Sequence, residues 1–159
     1  MKRNAAAEYV YYSVPAEFKI RTGHDGYPDF YVRLDTSQQK IRRDFTLERL
    51  AGVERSFRLI CIGDPQINEA SHAVRFKEEA GREIREYAAS AGVPCYGITL
   101  GDHVNNKWTL FTNMVVALQP EQTGVPVFAT IGNHDHEFPT ADEKAARAKY
   151  ESYFGPVDY

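Results

Sequence analysis

The chain has 159 residues, with 19 basic against 22 acidic side chains and a formal charge of −3, which excludes a general electrostatic pull toward nucleic acid or an anionic membrane. Hydrophobic residues at 43% and aromatic residues at 13% exclude a disordered chain and allow a filled core. No apolar run approaches the roughly 20 residues of a membrane span, and the three alanines behind Met1-Lys2-Arg3-Asn4 fall short of the roughly 7–15 apolar residues of a signal peptide.

Residues 8–57 carry strand-like patterning without helical periodicity. Glu8 to Val14 is rich in tyrosine and valine and stops at Pro15, and Phe30 to Leu34 alternates as a half-buried strand does. Thr22 to Pro28, with Gly23, Asp25, Gly26 and Pro28, predicts a turn that puts His24 at the surface. Ile41 to Leu50 alternates more weakly, and a helix over 38–50 is the competing reading. The region predicts a few antiparallel strands, too few to close a sandwich. It reads as the C-terminal part of a β-rich domain over residues 1–56, with Gly52 to Ser56 as the linker.

At Phe57 the pattern changes. Phe57 to Ile62 predicts a buried strand stopped by Gly63. Ala70 to Ala91 predicts a helix, because Ala73, Phe76, Ala80, Ile84, Tyr87 and Ala91 recur at helical steps and Gly92 stands where a C-cap belongs. Val93 to Leu100 predicts a second strand, closed by Gly101, and Trp108 to Leu118 a shorter helix ended before Pro120, with Trp108 and Phe111 in the core. Val125 to Ile131 predicts a third strand broken at Gly132, and Asp142 to Phe154 a third helix terminated by Gly155-Pro156. Cys61 and Cys95 fall inside two of these strands and read as buried free thiols.

Strands alternating with helices predict a parallel α/β sheet with right-handed crossovers, so all three strands end on one edge. Asp64, Asp102 and Asn133 stand just past those ends, 38 and 31 residues apart, close to one βαβ unit. Their oxygens are hard donors and the imidazoles of His134 and His136 borderline ones, a mixture that suits divalent Mn, Fe, Zn or Mg. An aspartate from the central strand can bridge two ions, and two ions roughly 3.5–4 Å apart polarise a phosphoryl group and activate water. His134, beside Asp135, is placed to protonate a leaving oxygen. His72 reads as solvated or packing, His103 as pocket lining or a cap, and His136 as a substrate contact. Asn105 and Asn106 read as helix caps or phosphate contacts. There is no Gly-any-Ser-any-Gly elbow and no glycine-rich nucleotide fingerprint after any strand.

Gly63-Asp64-Pro65-Gln66, Gly101-Asp102-His103-Val104-Asn105-Asn106 and Gly132-Asn133-His134-Asp135 follow successive strands in that order. They resemble the first three motifs of the calcineurin-like metallophosphoesterases. The resemblance covers about residues 57–159, the first half of that catalytic domain. It implies a metallophosphoesterase-type α/β sandwich with parallel βαβ units, here preceded by a small β segment. It also implies a dinuclear centre of two divalent metal ions hydrolysing phosphomonoesters or phosphodiesters. Position by position, Asp64 would hold the first metal with Gln66 beside it, Asp102 would bridge and Asn133 would hold the second. His134 would assist the leaving group with Asp135 orienting it; apart from the resemblance, the residues themselves make His103, Asn105 and His136 candidates for the substrate side.

The chain departs from the family pattern twice. The first motif usually reads aspartate, any residue, histidine, whereas Gln66 supplies a neutral and weaker ligand here. The later motifs, a lone histidine and a glycine-histidine-any-histidine segment, have no counterpart after Phe154. The expectation is therefore a chain that lacks the C-terminal half of its catalytic domain, binds metal weakly by itself and turns over little phosphoester. Residues 8–57 are similar to the β domain that precedes this catalytic domain in some exported multi-domain bacterial members, which implies an exported or periplasmic parent. The competing expectation is a non-catalytic binding or scaffold protein on the same fold.

Overall fold

The computed structural model describes residues 9–157 except 24, 25, 36, 39, 41 and 43, so His24, Ile41 and Arg43 lie outside the described residues. Strands β1 (Tyr9–Tyr11) and β2 (Tyr31–Arg33) pair antiparallel, with Val10 opposite Val32. The turn between them is closed by a hydrogen bond from Gly23 N to Tyr27 O at 2.8 Å and by a bridge between Thr22 and Pro28. The weak alternation before Leu50 makes no strand among the described residues. It contributes one bridge, between Phe18 and Arg49, and Phe45 is left largely exposed.

Three further strands, β3 (Arg58–Ile62), β4 (Cys95–Thr99) and β5 (Val127–Phe128), form a parallel sheet in the order β3-β4-β5. The register pairs Ile62 with Thr99 and Ile98 with Phe128, which puts the C-terminal ends of all three strands on one rim, with β4 in the middle. The predicted helix over 70–91 is continuous but contains a π turn, Lys77–Gly81, between α1 (Ala70–Phe76) and α2 (Arg82–Ser90). It stops where the glycine demands, with Gly92 in the left-handed conformation at φ +68°. A 3₁₀ turn, Trp108–Leu110, leads into α3 (Phe111–Ala117). The single-turn helix α4 (Pro120–Thr123) was not foreseen: Pro120 cannot continue α3 but fits the first position of a new helix. Helix α5 (Glu143–Phe154) begins at Asp142, whose Oδ1 accepts a hydrogen bond from Ala145 N at 2.8 Å.

The core lies between sheet and helices. Phe111, Met114 and Leu118 from the α3 region meet Val104, Val127, Tyr150 and Phe154, all buried. The Phe111 ring packs edge-on against Tyr150 and Phe154, with centroids 5.9 and 5.4 Å away, a favoured aromatic geometry. The segment before residue 57 packs onto this unit. Tyr27 joins the same core, 5.7 Å from Phe154, and its hydroxyl donates to Val115 O at 3.3 Å. Tyr96 on β4 donates to Glu54 Oε2 at 2.6 Å, and burial followed by that carboxylate pushes the phenol well above its ordinary pKa.

Two expectations need correcting. β3 is not a buried strand: it lies at the sheet edge, Leu59 is 54% exposed, and Cys61 on the same face is exposed too, while Cys95 on the central strand is buried. The third strand is also shorter than Val125 to Ile131. Beyond Phe128 the ladder gives way to side chains, with Thr130 N donating to Thr99 Oγ1 at 3.0 Å and Thr130 Oγ1 donating to Thr99 O at 2.6 Å. From these positions, Phe111→Ala should cost about 3–5 kcal/mol and Leu59→Ala less than about 1 kcal/mol. Urea denaturation followed by circular dichroism measures both, and equal losses would contradict the packing.

Candidate functional site

The loops after β3 and β4 keep pairing beyond the strands. Gln66 N donates to Asp102 O at 2.8 Å, Ile67 N to His103 O at 3.2 Å, and Asn105 N to Ile67 O at 3.1 Å. Ile67 and Val104 anchor this extension in the core. The loop after β5 touches the loop after β4 through two glycines. A Cβ on Gly101 would lie 2.7 Å from Gly132 Cα, and a Cβ on Gly132 would overlap the Asp102 carboxylate. Among the described residues, four non-glycine residues have positive φ: Asp64 (25°), Gln66 (37°), Asp102 (51°) and Asn106 (56°). All four sit in the loops after β3 and β4. Such backbone costs on the order of 1–3 kcal/mol per residue and collects at functional sites.

Polar atoms converge on Asp102, which is only 7% exposed. Its Oδ1 accepts from His134 N at 2.9 Å and its Oδ2 from Gln66 Nε2 at 3.1 Å. One carboxylate therefore ties together the loops that follow all three parallel strands. Since a carboxylate offers about four lone-pair sites, roughly half of its capacity is left. Asp64 and Asn133 are exposed at the rim, and neither side chain has a hydrogen bond among the described residues. His134 is half-buried. Its amide is held by Asp102 and its carbonyl accepts from Trp108 Nε1 at 3.2 Å, which leaves the ring without a described partner.

The expected role of Asp135 is corrected. It is fully buried, with Oδ2 accepting from His103 Nδ1 at 2.9 Å and Gly132 N at 3.0 Å and Oδ1 accepting from Val104 N at 3.2 Å. It braces the two loops from below and does not orient His134. The reason is local: Asn133–Asp135 is a 3₁₀ turn, in which successive side chains point about 120° apart. His103 is likewise corrected, because it is fully buried and stacked on Phe154 at 4.5 Å, out of reach of a substrate. A carboxylate can only accept, so His103 Nδ1 carries the proton, and its Nε2 is buried with no hydrogen-bond partner among the described residues.

Neither Asn105 nor Asn106 caps a helix: the cap position falls on Lys107, with no side-chain cap bond, and Asn106 Nδ2 faces Asn105 Oδ1 at 3.5 Å. His136 is half-buried at the rim, donating from Nδ1 to Gly132 O at 2.9 Å. His72 stays largely solvated, accepting from Asn68 N at 3.3 Å.

Among the described residues no three His, Cys, Asp or Glu side chains gather as a metal cluster. What the rim offers is oxygen: carboxylates from Asp64 and Asp102 and amides from Gln66 and Asn133, a donor set that fits a hard cation such as Mg²⁺ or Mn²⁺. Thr99 and Thr130 hold the rim in place and were not singled out from sequence, and Trp108, read there as core, also bonds the His134 carbonyl. The repeat Thr99-Leu100-Gly101-Asp102 and Thr130-Ile131-Gly132-Asn133 was the available signal for the two threonines.

No family model, curated protein or solved structure matches the chain. The fold is mixed α/β, with a three-stranded parallel sheet and a two-stranded antiparallel one among the described residues.

Asp135→Asn should destabilise the protein by about 2 kcal/mol or more, because the amide turns a donor toward backbone N–H groups that need an acceptor. Asn133→Ala, at an exposed position, should stay within about 0.5 kcal/mol of wild type. Paired urea melts measure the difference.

Proposed function

We propose that this chain carries the site of a metal-dependent phosphoesterase, hydrolysing phosphomonoesters or phosphodiesters. Asp64, Gln66, Asp102 and Asn133 would hold divalent cations through oxygen. The observation that carries the reading is the Asp102 carboxylate. It follows the central strand on left-handed backbone and is bonded by Gln66 on one side and His134 N on the other. The order of the three strand-end motifs also supports it. Bound divalent cations supply Lewis-acid polarisation of a phosphoryl oxygen and lower the pKa of water.

The chain's own residues do the positioning. Asp102 is held at both oxygens, so its remaining lone pairs face a fixed direction. His134 is pinned through its main chain by Asp102 and Trp108, which confines its motion to its own side-chain torsions. From there its ring gives a proton to the leaving oxygen. Asp135, buried on His103, keeps the loop beneath it from shifting.

Mn²⁺ binding measured by isothermal titration should fall roughly a hundredfold or more in Asp102→Ala and about tenfold or less in Gln66→Ala. Hydrolysis of p-nitrophenyl phosphate with Mn²⁺ should follow the same order, and equal damage from the two substitutions would reject the assignment. His134→Asn should slow phenyl phosphate by roughly 10²–10⁴-fold and p-nitrophenyl phosphate much less, since the better leaving group needs no proton. The competing reading is a non-catalytic binding protein, which the scarcity of gathered imidazole and carboxylate ligands among the described residues favours. Asp102-dependent Mn²⁺ binding with no turnover of either ester would select it.

A further inference from the structure

His136 and Phe138 stand beside this site and take no part in the chemistry above. The acceptor of the His136 Nδ1 hydrogen bond, Gly132 O, is a carbonyl and cannot donate. Nδ1 therefore carries the proton, and in the neutral ring Nε2 is an unprotonated acceptor. The ring plane is fixed as well. His136 stacks on Phe138 with centroids 6.0 Å apart and planes 16° from parallel. Phe138 is 60% exposed, the most exposed large apolar side chain among the described residues. The pair is tied to the rim through Gly132, the residue whose Cα presses on the Asp102 loop. Beside the proposed metal ligands there is thus a planar aromatic surface with one acceptor of fixed tautomer, held by a backbone hydrogen bond.

We propose that His136 and Phe138 form the leaving-group subsite of this centre and select phosphoesters whose leaving group is a planar aromatic ring. Phe138 offers the stacking face and His136 Nε2 accepts a hydrogen bond from a ring substituent. The proposal rests on the phosphoesterase reading for the position of the phosphate, and its test separates the two. Phenyl phosphate, methyl phosphate and inorganic phosphate are titrated calorimetrically into the full chain with Mn²⁺, in wild type, Phe138→Leu and Asp102→Ala. Phe138→Leu keeps an apolar side chain at an exposed position and removes only the ring. Phenyl phosphate should bind about fivefold or more tighter than methyl phosphate, as expected for one aromatic stack. Phe138→Leu should bring phenyl phosphate down to the methyl phosphate level. Nitrogen-15 spectra of the histidine rings should show His136 protonated at Nδ1, and the Nε2-protonated tautomer would overturn the acceptor role. Equal binding of the two esters, with both dependent on Asp102, would overturn the subsite and leave the phosphoesterase reading standing. Failure of every phosphate to bind with Mn²⁺ would overturn both.

Discussion

The rim of this protein depends on two glycines that meet backbone to backbone. Gly101 and Gly132 lie in the loops that follow neighbouring strands, and neither position has room for a Cβ. Their contact lets His134 N reach the Asp102 carboxylate and lets Asp135 reach back under the other loop to Val104 N and His103. With the backbones held apart by even one methyl group, the carboxylates would lose their donors while still buried, and burial without a partner is the costly state.

The buried carboxylate of Asp135 answers the cost of the unusual backbone above it. Left-handed conformations at Asp64, Gln66 and Asp102 persist only where surrounding contacts over-determine them. Three donors on one carboxylate, with an aromatic stack behind His103, supply that constraint on the β4 side. The Gln66 bond to Asp102 extends it to the β3 loop. The result is a rim whose loops are tied by hydrogen bonds, with Asp64 and Asn133 exposed and the half-buried His134 ring without a described partner. The phosphoesterase proposed above would need that division of labour, a fixed frame with free donors on it.

Away from the rim, the aromatic residues of the N-terminal segment complete the core. Tyr27 meets Phe154 of α5, and Phe30, just before β2, lies 5.5 Å from Phe128 of the parallel sheet. The opposite edge is less covered. Leu59 and Cys61 stay exposed on β3, and an apolar groove of about 290 Å³ runs past Phe18, Phe57, Leu59 and Tyr96. The protein thus buries one side of its central sheet well and one edge strand poorly, a common hazard of open sheets.

The sequence alone determined what depends on near neighbours. Apolar spacing over 70–91 with Gly92 behind it marked a helix and its end, and Asp142 with Gly155-Pro156 bounded α5. Three apolar runs, each closed by glycine and a polar residue, placed Asp64, Asp102 and Asn133 on one rim, because parallel strands must end together. Only the tertiary structure decided which of the rim side chains faces outward. Asp135 and His134 are adjacent in sequence, yet a 3₁₀ turn sends one inward to His103 and leaves the other at the surface. His103 read as pocket lining or a cap until Tyr150 and Phe154, some fifty residues later, closed over it. Cys61 and Cys95 read alike, but one lies on an edge strand and the other on the central one. Periodicity reports the local path of the chain, whereas burial is set by elements distant in sequence.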